Sequence, residues 1–319
     1  MWTYISRRIA QALFILLIIT AVCFLLTHFS AAPMSQYANR QGMTAADRAA
    51  IAHSLGLDQP LPVQYVKWLW LALHGNLGDS FFSRQPVMTL ISQRLPLTLE
   101  LMVTAEVFII IISLFLGIVS AVKQYSALDN VITSFSFIGY SMPIFFIALG
   151  LMNIFAVQFK AWHLPYLPTG ADIWDPHDLG ALAYHMVLPV SCLVIIQVAG
   201  YSRFLRSSIL EVLGLDYVRT ARAKGLGERT TLIKHALRNA MLPFITIIGL
   251  DIPFLLGGAI VTESIFAWPG MGRLFWEYAQ RGDFPVVNGV LLIVSSAVVF
   301  FTIIVDVLYT FVDPRIRLS

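Results

Sequence analysis

Apolar residues gather along this chain into six runs, at roughly 9–29, 97–122, 131–159, 183–201, 240–262 and 288–312. Each is near the ~20 residues that a helix needs to cross a bilayer. The last, NGVLLIVSSAVVFFTIIVDVLYTFV, holds one acid, Asp306, near its end. Pro143, in IGYSMPIFF, predicts a kink in the third run, tolerable where neighbouring helices re-satisfy the freed carbonyl. The fourth is short and carries Pro189 and Gln197. The first follows Arg7 and Arg8 and extends to about Phe29, longer than the 7–15-residue core of a signal peptide, which predicts an uncleaved span. The pattern is that of an all-α polytopic membrane protein with six transmembrane helices.

The polar stretches divide the chain further. Residues 1–29 form an N-terminal span, 30–96 a segment with short helices, and 97–319 a core of five spans with a loop at 203–238. Within 30–96, Thr44 as N-cap, Asp47 three residues on and Gly56 as a stop predict one short helix. LPVQYVKWLWLALHG predicts a second, ending at Gly75; its Trp68 and Trp70 suit either the membrane interface or packing on the protein's own spans.

Composition agrees. Of 319 residues 58% are hydrophobic and 12% charged, against about 25% charged in a soluble globular protein. The net charge of +3 is small and its basic residues cluster, which argues for topology rather than nucleic-acid binding. With the N-terminus inside, the inner segments hold Arg7, Arg8, Lys123, the basic residues from Arg203 to Arg238, Arg315 and Arg317. The short outer loops hold Lys160, Arg273 and Arg281, so both termini are expected in the cytoplasm. Cys23 and Cys192 fall in apolar runs and predict neither a disulfide nor a metal site.

The basic loop asks for an explanation of its own. DYVRTARAKGLGERTTLIKHALRN, 216–239, reads as a two-turn helix begun by Asp216 as N-cap and closed by Gly225, followed by a helix that starts near Glu228 and enters the fifth run. A helix of two turns is too short to stand alone in water and needs a partner surface. Ala221 and Ala223 suit close approach of a partner backbone, and Tyr217 and Val218 suit apolar anchoring. An ordinary positive-inside loop is the plainer alternative.

This stretch resembles the cytoplasmic EAA loop of bacterial ABC importer permeases, most closely those of the dipeptide/oligopeptide/nickel branch, in the run Arg219 to Gly225 (RTARAKG). LGLDQPLPVQY at 55–65, HGNLGDS at 74–80, RLPLTLEL at 94–101, GGAIVTESIFAWPGMGRLF at 257–275, DFPVVNGVLLI at 283–293 and DVLYTFVDPRIR at 306–317 also resemble that branch. Arg219 and Thr220 stand where the general pattern has Glu and Ala, and Arg238 where it has Pro; Ala221, Gly225 and Leu237 match. The resemblance implies a type I importer permease core in a bacterial inner membrane, paired with a second homologous permease and served by an extracytoplasmic binding protein. It also implies two cytoplasmic ATPases, which would bind ATP–Mg and receive Asp216, Tyr217, Val218, Arg219, Thr220, Ala221, Arg222, Ala223, Lys224 and Gly225 as a coupling element. GLGERTTLIK lacks the Lys-Ser/Thr of a P-loop, so no nucleotide site or cofactor is expected on this chain.

Ionisable residues inside spans are functional candidates by default. Glu100 and Glu106 lie in the second run and Asp251 in the fifth, flanked by Gly249 and Pro253. Asp251 could line the solute path and attract a peptide's amino group, or be a buried carboxylate bonded to a neighbouring helix. Gly257 and Gly258 would permit close helix contact or a local bend. Two other classes compete with the importer. An intramembrane aspartyl protease would need Asp251 and Asp306 at matching depth, and GLD lacks that family's G-x-G-D. A stand-alone ion-driven carrier would show internal repeats with interrupted helices, and would leave the basic loop unexplained.

Overall fold

The computed structural model describes residues 2–30, 44, 53, 58–170, 178–256 and 260–312. The first helix, α1 (Trp2–Ser30), is followed by α2 (Leu61–Leu73), α3 (Val87–Val122), α4 (Ala127–Ser141) and α5 (Ile144–Met152). α5 continues through a π-helical stretch, Asn153–Gln158, into the turn Phe159–Ala161. Then come α6 (Leu179–Leu213), α7 (Asp216–Ala223), a turn at Glu228–Thr230 and a second π-helical stretch at Thr231–Leu237. That stretch runs into α8 (Arg238–Leu256), and α9 (Ile260–Ile265), α10 (Met271–Gln280) and α11 (Phe284–Val312) are the last of the described elements.

Among the described residues five helices are long and apolar enough to cross a membrane: Ser6–Leu26, Val87–Val122, Ile144–Ala161, Leu179–Leu213 and Phe284–Val305. The run expected at 240–262 is helical as α8 but is not one of the five; its description stops at 256 and resumes at 260. The third run also differs from expectation. Pro143 divides it rather than kinking it, because the residue before a proline is driven out of the helical region. Met142 accordingly has φ −83° and ψ 132°, and a fresh helix starts at Ile144. The predicted first helix of segment 30–96 lies outside the described residues, apart from Thr44 and His53.

The core forms where α3 and α6 pack along each other, with α4, α5 and α8 laid against α6. Leu101, Ala105, Ile109, Leu205, Ile209 and Phe244 make its centre. A second, smaller core joins the loop before α3, the start of α3, α10 and α11 through Leu77, Val87, Ile91, Leu274 and Val286. α1 rests on α11 and leaves Leu13, Phe14 and Leu17 exposed, the surface expected of a helix facing lipid or another subunit. Of the two placements open to α2, packing on the protein's own spans is the one seen. Its Tyr65 and Trp68 rings pack on Phe24 of α1, and Tyr65 shares a 2.8 Å hydrogen bond with Thr20, while Val66, Trp70 and Leu73 stay exposed.

Candidate functional site

The expected coupling element is a discrete structure. α7 begins after Gly214, with Leu215 in extended conformation as its N-cap. Asp216 is therefore the first helical residue rather than the cap, exposed and 3.6 Å from Arg219. At the other end Leu226 N–H bonds the Ala221 carbonyl and Gly225 N–H bonds that of Arg222, the two bonds of a Schellman turn. Gly225 takes φ +82°, a conformation that costs any residue with a Cβ.

The faces of α7 are set by packing. Val218 is fully buried and Ala221 nearly so, against the Thr231–Leu237 stretch and the end of α6. These two therefore hold the helix to its own chain and do not present themselves to a partner. Tyr217, half exposed, is also tethered: its hydroxyl accepts from Asn239 Nδ2 at 2.8 Å and donates to the His235 carbonyl at 3.3 Å. Arg219, Thr220, Arg222, Ala223, Lys224 and Gly225 form the exposed side. Arg222 is paired with Glu228, Nε to Oε1 at 2.9 Å, which ties α7 to the start of the next helical turn.

The candidate pathway residues separate. Glu106 of α3 is buried, within electrostatic reach of Asp251 on α8. Asp251 Oδ2 accepts a 2.7 Å hydrogen bond from Tyr201 on α6. Glu100 lies on an exposed face of α3, and Gly257 and Gly258 fall outside the described residues.

Three further carboxylates are built into the structure, and each binds segments distant in sequence. Asp129, at the start of α4, faces Arg206 of α6 in a bidentate pair, Nε to Oδ1 and Nη2 to Oδ2 both 2.8 Å. It also accepts from Ser120 Oγ of α3 and, at 2.9 Å, from Tyr125 N–H. The hydrogen-bonded Arg206 guanidinium holds its carboxyl well below the usual range. Glu263 on α9 is fully buried under the first turn of α10. Its Oε1 accepts from Thr98 Oγ1 and its Oε2 from Arg273 N–H, each at 2.9 Å. Burial pushes this carboxyl up, against those two donors. A Cβ at Gly270 would stand 2.4 Å from Glu263 Cδ, so the carboxyl sits where only glycine leaves room. Trp268 Nε1 adds a 3.0 Å bond to the Leu97 carbonyl and seals the 260–275 segment onto α3. Asp283 accepts from Ser80 Oγ at 2.6 Å and from Phe82 N–H at 2.9 Å, joining HGNLGDS to DFPVVNG.

Nothing in the sequence marks the cage of Glu263, and Arg206 reads there as one more positive-inside charge. A signal for Asp129 was present: Ser126 three residues before it caps α4, accepting from Asp129 N–H at 3.2 Å. Nothing local marks Tyr201 or Arg206, whose partners lie 50 and 77 residues away.

Residues 113–318 match the family model described as binding-protein-dependent transport system inner membrane component, and residues 1–102 match the model for the N-terminal part of such components. The chain is similar to the dipeptide transport system permease protein DppB of Escherichia coli (strain K12), 38% identical over 340 residues and 99% of each chain. It is similar also to the oligopeptide transport system permease protein AppB of Bacillus subtilis (strain 168), 40% identical over 320 residues, 99% of this chain and 100% of the relative. Among solved structures it resembles the crystal structure of an amino acid ABC transporter with histidines, with TM-score 0.53 and 16% identity, covering 70% of this chain and 94% of the other. At that identity the likeness concerns the fold.

Proposed function

This chain belongs to the binding-protein-dependent transport system inner membrane components and is a multi-pass permease subunit of an ABC importer, and from that premise we propose that it admits peptides, or similar small solutes, handed over by an extracytoplasmic binding protein. It lines the pore with a second homologous permease, and both termini lie in the cytoplasm. The dipeptide and oligopeptide relatives support the solute class, and the Lys and Arg distribution supports the orientation. ATP hydrolysis belongs to two separate subunits that bind ATP–Mg. The relatives are permeases of ABC systems, which sets aside the ion-driven carrier.

The observation that carries the coupling mechanism is α7, a two-turn helix closed by Gly225 and held by Val218 and Ala221, with a basic face turned outward. In this reading Arg219, Thr220, Ala223 and Lys224 seat in a groove of an ATPase, while Asp216, Tyr217, Val218, Ala221, Arg222 and Gly225 hold the helix in position. Closure of the ATPase pair on ATP then pushes α7. Its packing on α6 and on the lead-in to α8 passes the movement to the bundle as a rigid-body switch.

The test is affinity purification from the native membrane in mild detergent, comparing wild type with Ala223→Glu. Ala223 is exposed, so the variant folds. Wild type brings down a second permease and ATP-binding subunits; Ala223→Glu keeps the permease and loses the ATPases. Wild type recovered alone and folded would overturn the importer assignment of its partners.

A further inference from the structure

The buried carboxylates of this chain fall into two kinds. Asp129, Glu263 and Asp283 each accept hydrogen bonds from donors the fold supplies. Glu106 receives none. It is 8% exposed, both its oxygens are buried, and neither has a hydrogen-bond partner among the described residues. The ionisable groups that bear on it are Asp251 and Tyr201. Met102, Ala105, Val198 and Phe244 belong to the same apolar core as Tyr201, with the Phe244 ring edge-on to Tyr201 at 5.7 Å. Two neighbouring carboxylates in such surroundings either hold a proton or take a positive partner, since a buried charge persists only when paired and hydrogen-bonded.

We propose that Glu106, Tyr201 and Asp251 form a binding site within the bundle for a primary ammonium group, the free amine of a transported peptide. The chemistry matches. A primary ammonium carries three donors and no acceptor. Glu106 and Asp251 offer carboxylate oxygens. The Tyr201 hydroxyl donates its hydrogen to Asp251 Oδ2 and so turns an oxygen lone pair to the site. Asp251 is partly exposed, whereas Glu106 is buried. α3, α6 and α8 contribute one residue each, so a relative movement of these helices makes or breaks the site. Release of the amine then comes from the motion that drives transport, with no group needed to titrate. The identity of the amine rests on the peptide reading above; the site itself does not.

The test uses the purified importer with its partner permease and ATPases, in the absence of the binding protein, so that this protein's selectivity does not enter. Two probes are compared, alanyl-alanine amide and its N-acetyl derivative, which differ in the charged amine. The midpoint of thermal unfolding of wild type should rise with alanyl-alanine amide and stay still with the acetylated probe. Glu106→Gln and Asp251→Asn should abolish the rise, and Tyr201→Phe should reduce it. The site is overturned if both probes act alike on wild type, or if Glu106→Gln keeps the full response, as it would were Glu106 simply to hold a proton. The comparison of probes on wild type decides the matter even where a variant fails to assemble. A separate arm loads proteoliposomes of the wild-type importer with ATP, adds the binding protein and tracks labelled alanyl-alanine. Failure to accumulate it would count against the peptide reading, whatever the unfolding midpoints show.

Discussion

Asp129 shows how much one side chain carries in a chain with few charges. It joins α3, α4 and α6 through Ser120, its own helix and Arg206, and it is nearly buried. Removing one member of such a pair leaves the other uncompensated, which costs about 3 kcal/mol where part of the guanidinium still reaches solvent. Arg206→Ala should therefore lower the unfolding midpoint of the detergent-solubilised importer clearly, and Arg206→Lys, without the planar fork, should recover only part of it. The pH dependence has a definite sign. A carboxyl whose folded value lies below its ordinary value near 3.8 stabilises the fold at and above neutrality, and that contribution fades as pH falls through the ordinary value towards the folded one. Wild type should lose more stability than Asp129→Asn on acidification below about pH 4 in the same measurement. Gly270 is the other sensitive position. A methyl group there meets the Glu263 carboxyl, and Gly270→Ala should cost about 1–3 kcal/mol, read as a lower unfolding midpoint.

Among the elements, α7 was readable in outline because glycines mark its limits. Its start was misplaced by one residue, since Asp216 looked like a cap while Leu215 has the capping conformation. Its faces were not readable. Val218 and Ala221 turn inward only because the Thr231–Leu237 stretch and α6 lie beneath them, a tertiary fact that no period in eight residues encodes. The third apolar run teaches the opposite lesson: hydropathy joined 131–159, and the local rule for residues before proline, decisive at Met142, divides it. In the carboxylate cluster, Glu106 and Asp251 stood out as ionisable residues in apolar runs, but their meeting, and Tyr201 beside them, required three helices to be assembled. Gly225→Ala should cost roughly 1–2 kcal/mol locally. It should reduce peptide-stimulated ATP hydrolysis several-fold while leaving the permease pair assembled, checked by an ATPase assay alongside gel filtration. Arg222→Ala removes an exposed ion pair worth at most about 1 kcal/mol, and the unfolding midpoint should barely move.

At the scale of the molecule, two groups of long-range links stand out among the described residues. Asp129–Arg206 ties together α3, α4 and α6, whereas Glu263, Trp268 and Asp283 bind the segments around α9 and α10 to those around the start of α3. The Glu106 cluster belongs to neither and spans α3, α6 and α8, the helices whose relative movement the importer reading requires. The π-helical stretch at Thr231–Leu237, on the way from α7 to α8, has a further consequence. A π turn holds one residue more than an α turn, so this segment sets the rotational phase between α7 and α8. Removing a single residue here would let the backbone close into an ordinary α-helix with both sides near their present heading, whereas removing one from the α-helical part of α8 would turn them by about 100°. In that second case the composition would hardly change, and the exposed basic face would point more than a quarter-turn from its present heading relative to the far end of α8. Residue number along α8 is what aims that face, and the π stretch is where a residue can be lost with least effect on it.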